Sequence, residues 1–71
     1  MIRLNETEYA YRAGLSLKEL VSKYNADQKK TLAFDGFVVL INGKAIGTPE
    51  AEERILLDND RILITPLLSG G

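Results

Sequence analysis

Apolar and polar positions alternate with a period of two at the start of the chain. Ile2 and Leu4 flank one polar residue, which predicts a first strand with one buried face. Residues 5–8 are polar and predict a turn, and residues 9–12 predict the return strand. The first twelve residues are therefore predicted to form a β-hairpin.

The period changes to that of a helix after Gly14. Ser16 and Glu19 have the spacing of a capping box, in which the serine hydroxyl caps the first turn. The apolar residues that follow lie at i, i+3, i+4 and i+7, the spacing of one helix face. We interpret this face as part of the core; it consists of Leu17, Leu20, Val21 and Tyr24.

The middle of the chain holds the most apolar stretch. Residues 25–30 read as a polar connection, and residues 31–34 as an extended piece or a short helical turn. Phe37–Ile41 is apolar on both faces and predicts a central strand. Asn42-Gly43 is the preferred pair for a two-residue hairpin turn, so Lys44–Ile46 is predicted to be a short return strand on the sheet edge.

The last third of the chain predicts a short helix and a final strand. Thr48-Pro49 predicts a helix start with Thr48 as the cap, extending through Arg54. Residues 58–60, Asp-Asn-Asp, predict a tight turn, because the spacing of an EF-hand calcium loop is absent. The last strand covers residues 61–65. The order of elements predicts an α+β fold with one main helix packed across a mixed sheet of four to five strands.

The chain finishes in a short segment that predicts a tail. Pro66 cannot donate a ladder hydrogen bond, so we expect residues 1–66 to form the domain and residues 67–71 a flexible tail. Gly70 and Gly71 lack side chains, which allows a backbone to approach another surface closely. Two interpretations are open from these residues alone: an idle, frayed end, or a terminal carboxylate that is itself the functional group.

Composition narrows the function classes. With 71 residues the chain forms one domain, expected to be a monomer on its own. Cysteine and histidine are absent, which removes thiol nucleophiles, the commonest metal ligand and the commonest general base. We therefore expect no catalytic residues, no metal site and no enzyme activity. A net charge of −1 without a basic block gives no support for nucleic-acid binding, and no apolar run is long enough for a membrane span. A soluble cytoplasmic protein is expected.

These patterns together resemble the ThiS/MoaD family of ubiquitin-like β-grasp sulfur carriers. The resemblance covers nearly the whole chain and is clearest at residues 39–44, at residues 57–62 and at Ser69-Gly70-Gly71. The family usually has Gly-Asp in the turn before the last strand. Here Asn59-Asp60 stands in its place, and Asn tolerates a left-handed conformation nearly as well as Gly does.

The resemblance implies a carrier rather than a catalyst. No cofactor would be bound; a partner adenylating enzyme of the ubiquitin-activating type would use ATP to activate the carboxylate of Gly71. A sulfur donor such as a cysteine desulfurase would convert it to a thiocarboxylate, which an acceptor synthase would use. Gly70 and Ser69 would give the end access to a narrow channel. Leu67 and Leu68 would dock against the partner, or else complete the last strand.

The same residues fit more than one acceptor and more than one function. The short length and the hairpin at residues 42–44 are similar to ThiS and favour thiamin thiazole as the acceptor. Pro66 is closer to MoaD and molybdopterin. A ubiquitin-like modifier would use the same acyl-adenylate to attach Gly71 to lysines of other proteins, and a β-grasp interaction module would leave the tail idle.

Overall fold

The computed structural model describes residues 1–67 and contains the predicted elements in the predicted order. Five strands and two helices occur in this range. They are β1 (Ile2–Leu4), β2 (Thr7–Tyr9), α1 (Leu17–Gln28), β3 (Phe37–Ile41), β4 (Lys44–Ile46), α2 (Thr48–Glu53) and β5 (Arg61–Pro66).

The five strands form one mixed sheet in the order β2-β1-β5-β3-β4. The terminal strands β1 and β5 are parallel neighbours, whereas β1–β2, β3–β5 and β3–β4 are antiparallel. Helix α1 packs on one face of this sheet, and α2 packs against α1. The predicted α+β β-grasp architecture is confirmed.

The core lies between the sheet and α1. Every residue of the predicted apolar helix face is buried: Leu17, Leu20, Val21 and Tyr24. Alternate residues of the strands meet this face, and the buried strand residues are Ile2, Leu4, Tyr9, Val39, Ile41, Ile62 and Ile64. The Ser16 hydroxyl accepts a hydrogen bond from the Glu19 N–H at 3.1 Å, so the predicted cap of α1 is also confirmed.

The first hairpin is tighter than predicted. Leu4 pairs with Thr7, so the turn consists of Asn5 and Glu6 alone and the return strand ends at Tyr9. The prediction of a four-residue turn was wrong because polar residues 7 and 8 lie within the strand. Asn5 makes the tight turn possible by adopting a positive φ of 53°.

The connection after α1 is shorter than predicted, because the helix continues through Gln28. Its last residues are polar and exposed, which suits a helix end that covers little of the core. Residues 31–34 contain no helical turn and no strand. They are held by Asn25, whose side-chain amide donates to the Leu32 carbonyl at 2.9 Å and accepts from the Leu32 N–H at 2.8 Å. Phe34 then enters the core.

The second helix begins one residue earlier than predicted. Gly47 is its N-cap, and Thr48 already has helical geometry. Thr48 does not cap the helix; its hydroxyl donates to the Phe34 carbonyl at 3.5 Å instead. Lys44 lies on the edge strand β4, as predicted.

Candidate docking face and tail exit

Strand β5 carries the chain toward its predicted functional end from the middle of the sheet. Of the residues predicted to form the tail, the structure describes Leu67. Its N–H donates to the Gly36 carbonyl at 2.9 Å, and its side chain is 63% exposed. The other predicted site residues, Leu68, Ser69, Gly70 and Gly71, lie outside the described residues.

Among residues 1–67, no helix or strand covers the side of the sheet opposite α1, which we call the open side. β3 has neighbours on both sides, as a central strand should; its Val39 and Ile41 are buried in the core, and its Phe37 packs against the core. Its other apolar residues, Val38 and Leu40, are half-buried and belong to the open side. The predicted central position of β3 is confirmed, and its second apolar face is only half-buried because α1 covers the other face.

An apolar row crosses this open side. Leu40 pairs with Ala45 on one flank and with Leu63 on the other, and Leu63 remains 45% exposed. Successive residues of a strand point to opposite faces, so Leu63 and Thr65 share a side. We call Leu40 and Leu63 the docking face, because they are neighbouring apolar residues on the strands that precede the exposed Leu67.

Two arginines lie beside this row on neighbouring parallel strands. Arg3 and Arg61 are register partners of β1 and β5. Glu8 approaches Arg3 with an N–O distance of 3.8 Å, while Arg61 forms no ion pair within residues 1–67. Leu40 and Leu63 line a depression of about 320 Å³ together with both arginines. The docking face therefore has a cationic border.

The turn before β5 is fixed by the buried carboxylate of Asp60. Its two oxygens accept hydrogen bonds from the Leu57 N–H at 2.9 Å and from the Asn42 side-chain amide at 3.0 Å. The Asn42 oxygen accepts from the Arg61 N–H at 2.9 Å. Asn59 has a φ of +71°, the left-handed conformation expected where the family has glycine. The turn is a structural element that sets the start of β5.

Asn5 was not predicted to contribute to this site, but its side chain contacts β5 directly. The side-chain oxygen accepts from the Ile64 N–H at 2.8 Å, and the amide donates to the Ile64 carbonyl at 3.3 Å. The pattern indicates a turn at this asparagine, which follows the alternating residues of the first strand, but it does not indicate the contact with β5.

A second depression, of about 530 Å³, lies between the segment after β2 and the outer side of α1. Arg12 and Glu19 at its wall pair with each other at 2.8 Å, and no residue of β5 lines it. Burial raises the pKa of the Tyr9 hydroxyl at its wall, and the charge of Asp27 adds to this effect.

No group of three potential metal ligands occurs in residues 1–67. No helix in this range is long and apolar enough to cross a membrane.

Comparison with known proteins agrees with this architecture. No curated protein matches the chain. The model of the ThiS family, however, matches residues 2–71, a range that includes β5, the docking face and both terminal glycines. The chain therefore belongs to the ThiS family, whose members are small sulfur carriers rather than enzymes.

Proposed function

We propose that this protein carries sulfur as a thiocarboxylate on Gly71. The observation that carries the proposal is the family match, which extends through Gly70 and Gly71. An α-carboxylate is ionised at neutral pH and is a poor electrophile, so it must be activated before sulfur can be attached. We propose a partner adenylating enzyme of the ubiquitin-activating type for that step.

The proposed chemistry has two stages. A carboxylate oxygen of Gly71 attacks the α-phosphorus of ATP, and pyrophosphate leaves, which gives an acyl-adenylate. A nucleophilic sulfur atom then attacks the acyl carbon, and AMP leaves. Where the donor is a persulfide, as on a cysteine desulfurase, the product of this attack is an acyl disulfide. A second thiol then attacks the sulfur of the donor cysteine, forms a disulfide with it and releases the thiocarboxylate. Because ATP and thiols are both available in the cytoplasm, we propose that the protein acts there.

The carrier contributes binding and reach. Leu67 and Leu68 are the proposed docking contacts of the tail, and Leu40 and Leu63 extend that surface over the open side of the sheet. Exposed apolar side chains that share one side of a sheet are typical of a protein interface. Beyond Leu67, four residues span about 14 Å when extended, enough to carry Gly71 into a partner's active site.

We propose the thiazole of thiamin as the acceptor in preference to molybdopterin. The hairpin turn at Asn42-Gly43 and the small size of the domain favour this choice. The acceptor synthase would take sulfur from the thiocarboxylate and return the carboxylate of Gly71 for another cycle.

Intact mass spectrometry after incubation with ATP and a soluble extract of the host tests the proposal. We expect a gain that corresponds to exchange of one oxygen for sulfur, and a variant without Gly71 should lose it. Attachment of the chain to larger proteins would instead identify a protein modifier. An unchanged mass, in an extract that activates a known carrier, would contradict both and leave an interaction module.

Reconstitution with a purified thiazole synthase separates the acceptors. The thiocarboxylated protein should support thiazole formation and should support molybdopterin formation poorly. The reverse preference would overturn the thiamin assignment while leaving the carrier function intact.

A further inference from the structure

The Asn5 side chain continues the hydrogen bonding between the parallel strands β1 and β5 beyond the end of β1. The main-chain ladder that joins the strands includes a bond at each end of β1: the Arg3 N–H donates to the Asp60 carbonyl at 3.0 Å, and the Asn5 N–H donates to the Ile62 carbonyl at 2.8 Å. β1 then turns away, because Asn5 has a φ of +53°. The next residue of β5 that faces β1 is Ile64, and without Asn5 its backbone groups would lack a partner on that side.

The Asn5 side chain supplies both missing partners. Its oxygen accepts from the Ile64 N–H at 2.8 Å and its amide donates to the Ile64 carbonyl at 3.3 Å. A side-chain amide carries one acceptor and one donor group, as a peptide group does. Glycine would satisfy the positive φ equally well, so the turn alone does not require asparagine. The Asn5 side chain is needed for the two hydrogen bonds to Ile64 of β5.

This contact lies three residues before Leu67. On the opposite flank, the Gly36 carbonyl accepts from the Leu67 N–H at 2.9 Å. The last described residues of β5 are thus held from the β1 side by Asn5 and from the β3 side by Gly36. Pro66 between these contacts has no N–H to contribute.

We infer that Asn5 is a positioning residue for the activation of Gly71: it fixes the direction in which the chain leaves the sheet. The inference rests on the proposed carrier function. Docking through Leu40 and Leu63 holds the domain on its partner, whereas the reach of the carboxylate depends on how β5 ends. Release of Ile64 lets the end of β5 move away from β1, which lowers the fraction of docked carriers whose carboxylate meets ATP.

The chain offers a matched control. Asn25 makes the same pair of side-chain contacts with a main-chain residue, Leu32, in a connection that does not include β5. Asn5→Gly and Asn25→Ala each remove two hydrogen bonds of this kind, and neither forces a strained backbone: Gly suits the positive φ, and Ala suits the helix. Purely structural damage should therefore be similar in the two variants.

ATP–pyrophosphate exchange by the partner enzyme measures the activation step. We expect kcat to fall about tenfold for Asn5→Gly with little change in the KM for the carrier, since a misplaced reacting group lowers rate rather than binding. Asn25→Ala should keep both constants. Equal kcat values for the two variants, or a change confined to KM, would overturn the inference.

Hydrogen exchange of the Leu67 amide gives a readout that needs no partner. Exchange should accelerate in Asn5→Gly and stay unchanged in Asn25→Ala at equal global stability. Unchanged Leu67 exchange in Asn5→Gly would overturn the inference even if the wild type is activated. Failure of the wild type to be activated would overturn the proposed function instead, and Leu67 exchange would still decide whether Asn5 holds the end of β5.

A second variant tests the same inference if Asn5→Gly folds poorly. Asn5→Asp tolerates the positive φ and keeps an acceptor for the Ile64 N–H while losing the donor. Its Leu67 exchange and kcat should lie between those of the wild type and of Asn5→Gly. Wild-type values for both would show that the amide donor has no role in positioning.

Discussion

In this domain, asparagine and aspartate side chains form hydrogen bonds that backbone groups usually form. Asn5, Asn42 and Asn59 have positive φ values, a conformation that glycine usually supplies. Asn5 and Asn42 also accept main-chain hydrogen bonds from β5, which glycine cannot do. At the residue scale, the start and the end of β5 are therefore set by short polar side chains, and Asp60 is the most buried of them.

Replacement of Asp60 by alanine should destabilise the domain. The Leu57 N–H and the Asn42 amide would lose their charged acceptor, and each loss costs more than that of a neutral hydrogen bond. We expect the free energy of unfolding to fall by about 2 kcal/mol or more, measured by urea denaturation. Asp35→Ala, at an exposed aspartate, is the control and should change it little. Equal losses in both variants would contradict a structural role for the Asp60 contacts.

The ion pair at the chain start predicts a pH dependence. The Met1 ammonium donates to Asp58 at 2.8 Å, and this hydrogen bond holds the pKa of the Asp58 carboxyl below its ordinary value. A lowered folded-state pKa stabilises the fold above the unfolded pKa of about 3.9, and this stabilisation is lost as the pH falls through the folded pKa. The melting temperature of the wild type should therefore exceed that of Asp58→Asn near neutral pH by a small margin, because both groups are exposed.

Melting curves between pH 7 and pH 2 check this dependence. The difference between the wild type and Asp58→Asn should vanish at the acidic end. A difference that persists when Asp58 is protonated would show that the carboxylate charge is not its cause.

At the scale of elements, α1 depends on its cap. The Ser16 hydroxyl satisfies one of the free N–H groups of the first turn, and Ser16→Ala should cost about 1 kcal/mol of unfolding free energy. Ser22→Ala, at an exposed position within the same helix, should leave stability unchanged or raise it slightly. Urea denaturation of both variants checks the prediction; a larger loss at Ser22 would contradict the role of the cap.

The sequence predicted elements well where one local rule decides. The helical period and the capping residues located α1, and the apolar run predicted β3 with the bounds that the structure has, Phe37–Ile41. Three errors occurred where tertiary contacts decide instead. Residues 7 and 8 are polar but lie on an edge strand. Residues 25, 27 and 28 are polar but continue a helix, and the Thr48 hydroxyl donates to the Phe34 carbonyl rather than capping its own helix.

The candidate site was predictable only in part. Leu67 was expected to be accessible, and it is exposed, but the open side of the sheet could not be read from periodicity. An apolar run such as residues 37–41 looks the same whether one or two faces are covered. The Asn5 contact joins residues 59 positions apart, so no local pattern indicates it.

At the scale of the whole molecule, one sheet face forms the core and the other is available to a partner. Leu63→Ser should leave the fold intact, because the side chain is 45% exposed, and should raise the KM of the adenylating enzyme for the carrier about tenfold. Leu57→Ser removes a leucine that is 61% exposed but lies outside the sheet, so it is the matched control. Initial rates at varied carrier concentration check the prediction. An equal KM for both variants would exclude the open side as the docking face.

The placement of β5 between β1 and β3 also determines how the domain bears load. A partner that draws the C-terminal segment inward pulls along the axis of β5. Because β5 is bonded to a strand on each side, such a force acts in shear on both ladders at once and does not peel one bond after another. Single-molecule pulling from the two chain ends should accordingly meet higher resistance than pulling that peels β4 from the sheet edge. The strand that leads to the proposed sulfur-carrying end is therefore the one that a pull on that end is least able to separate from the sheet.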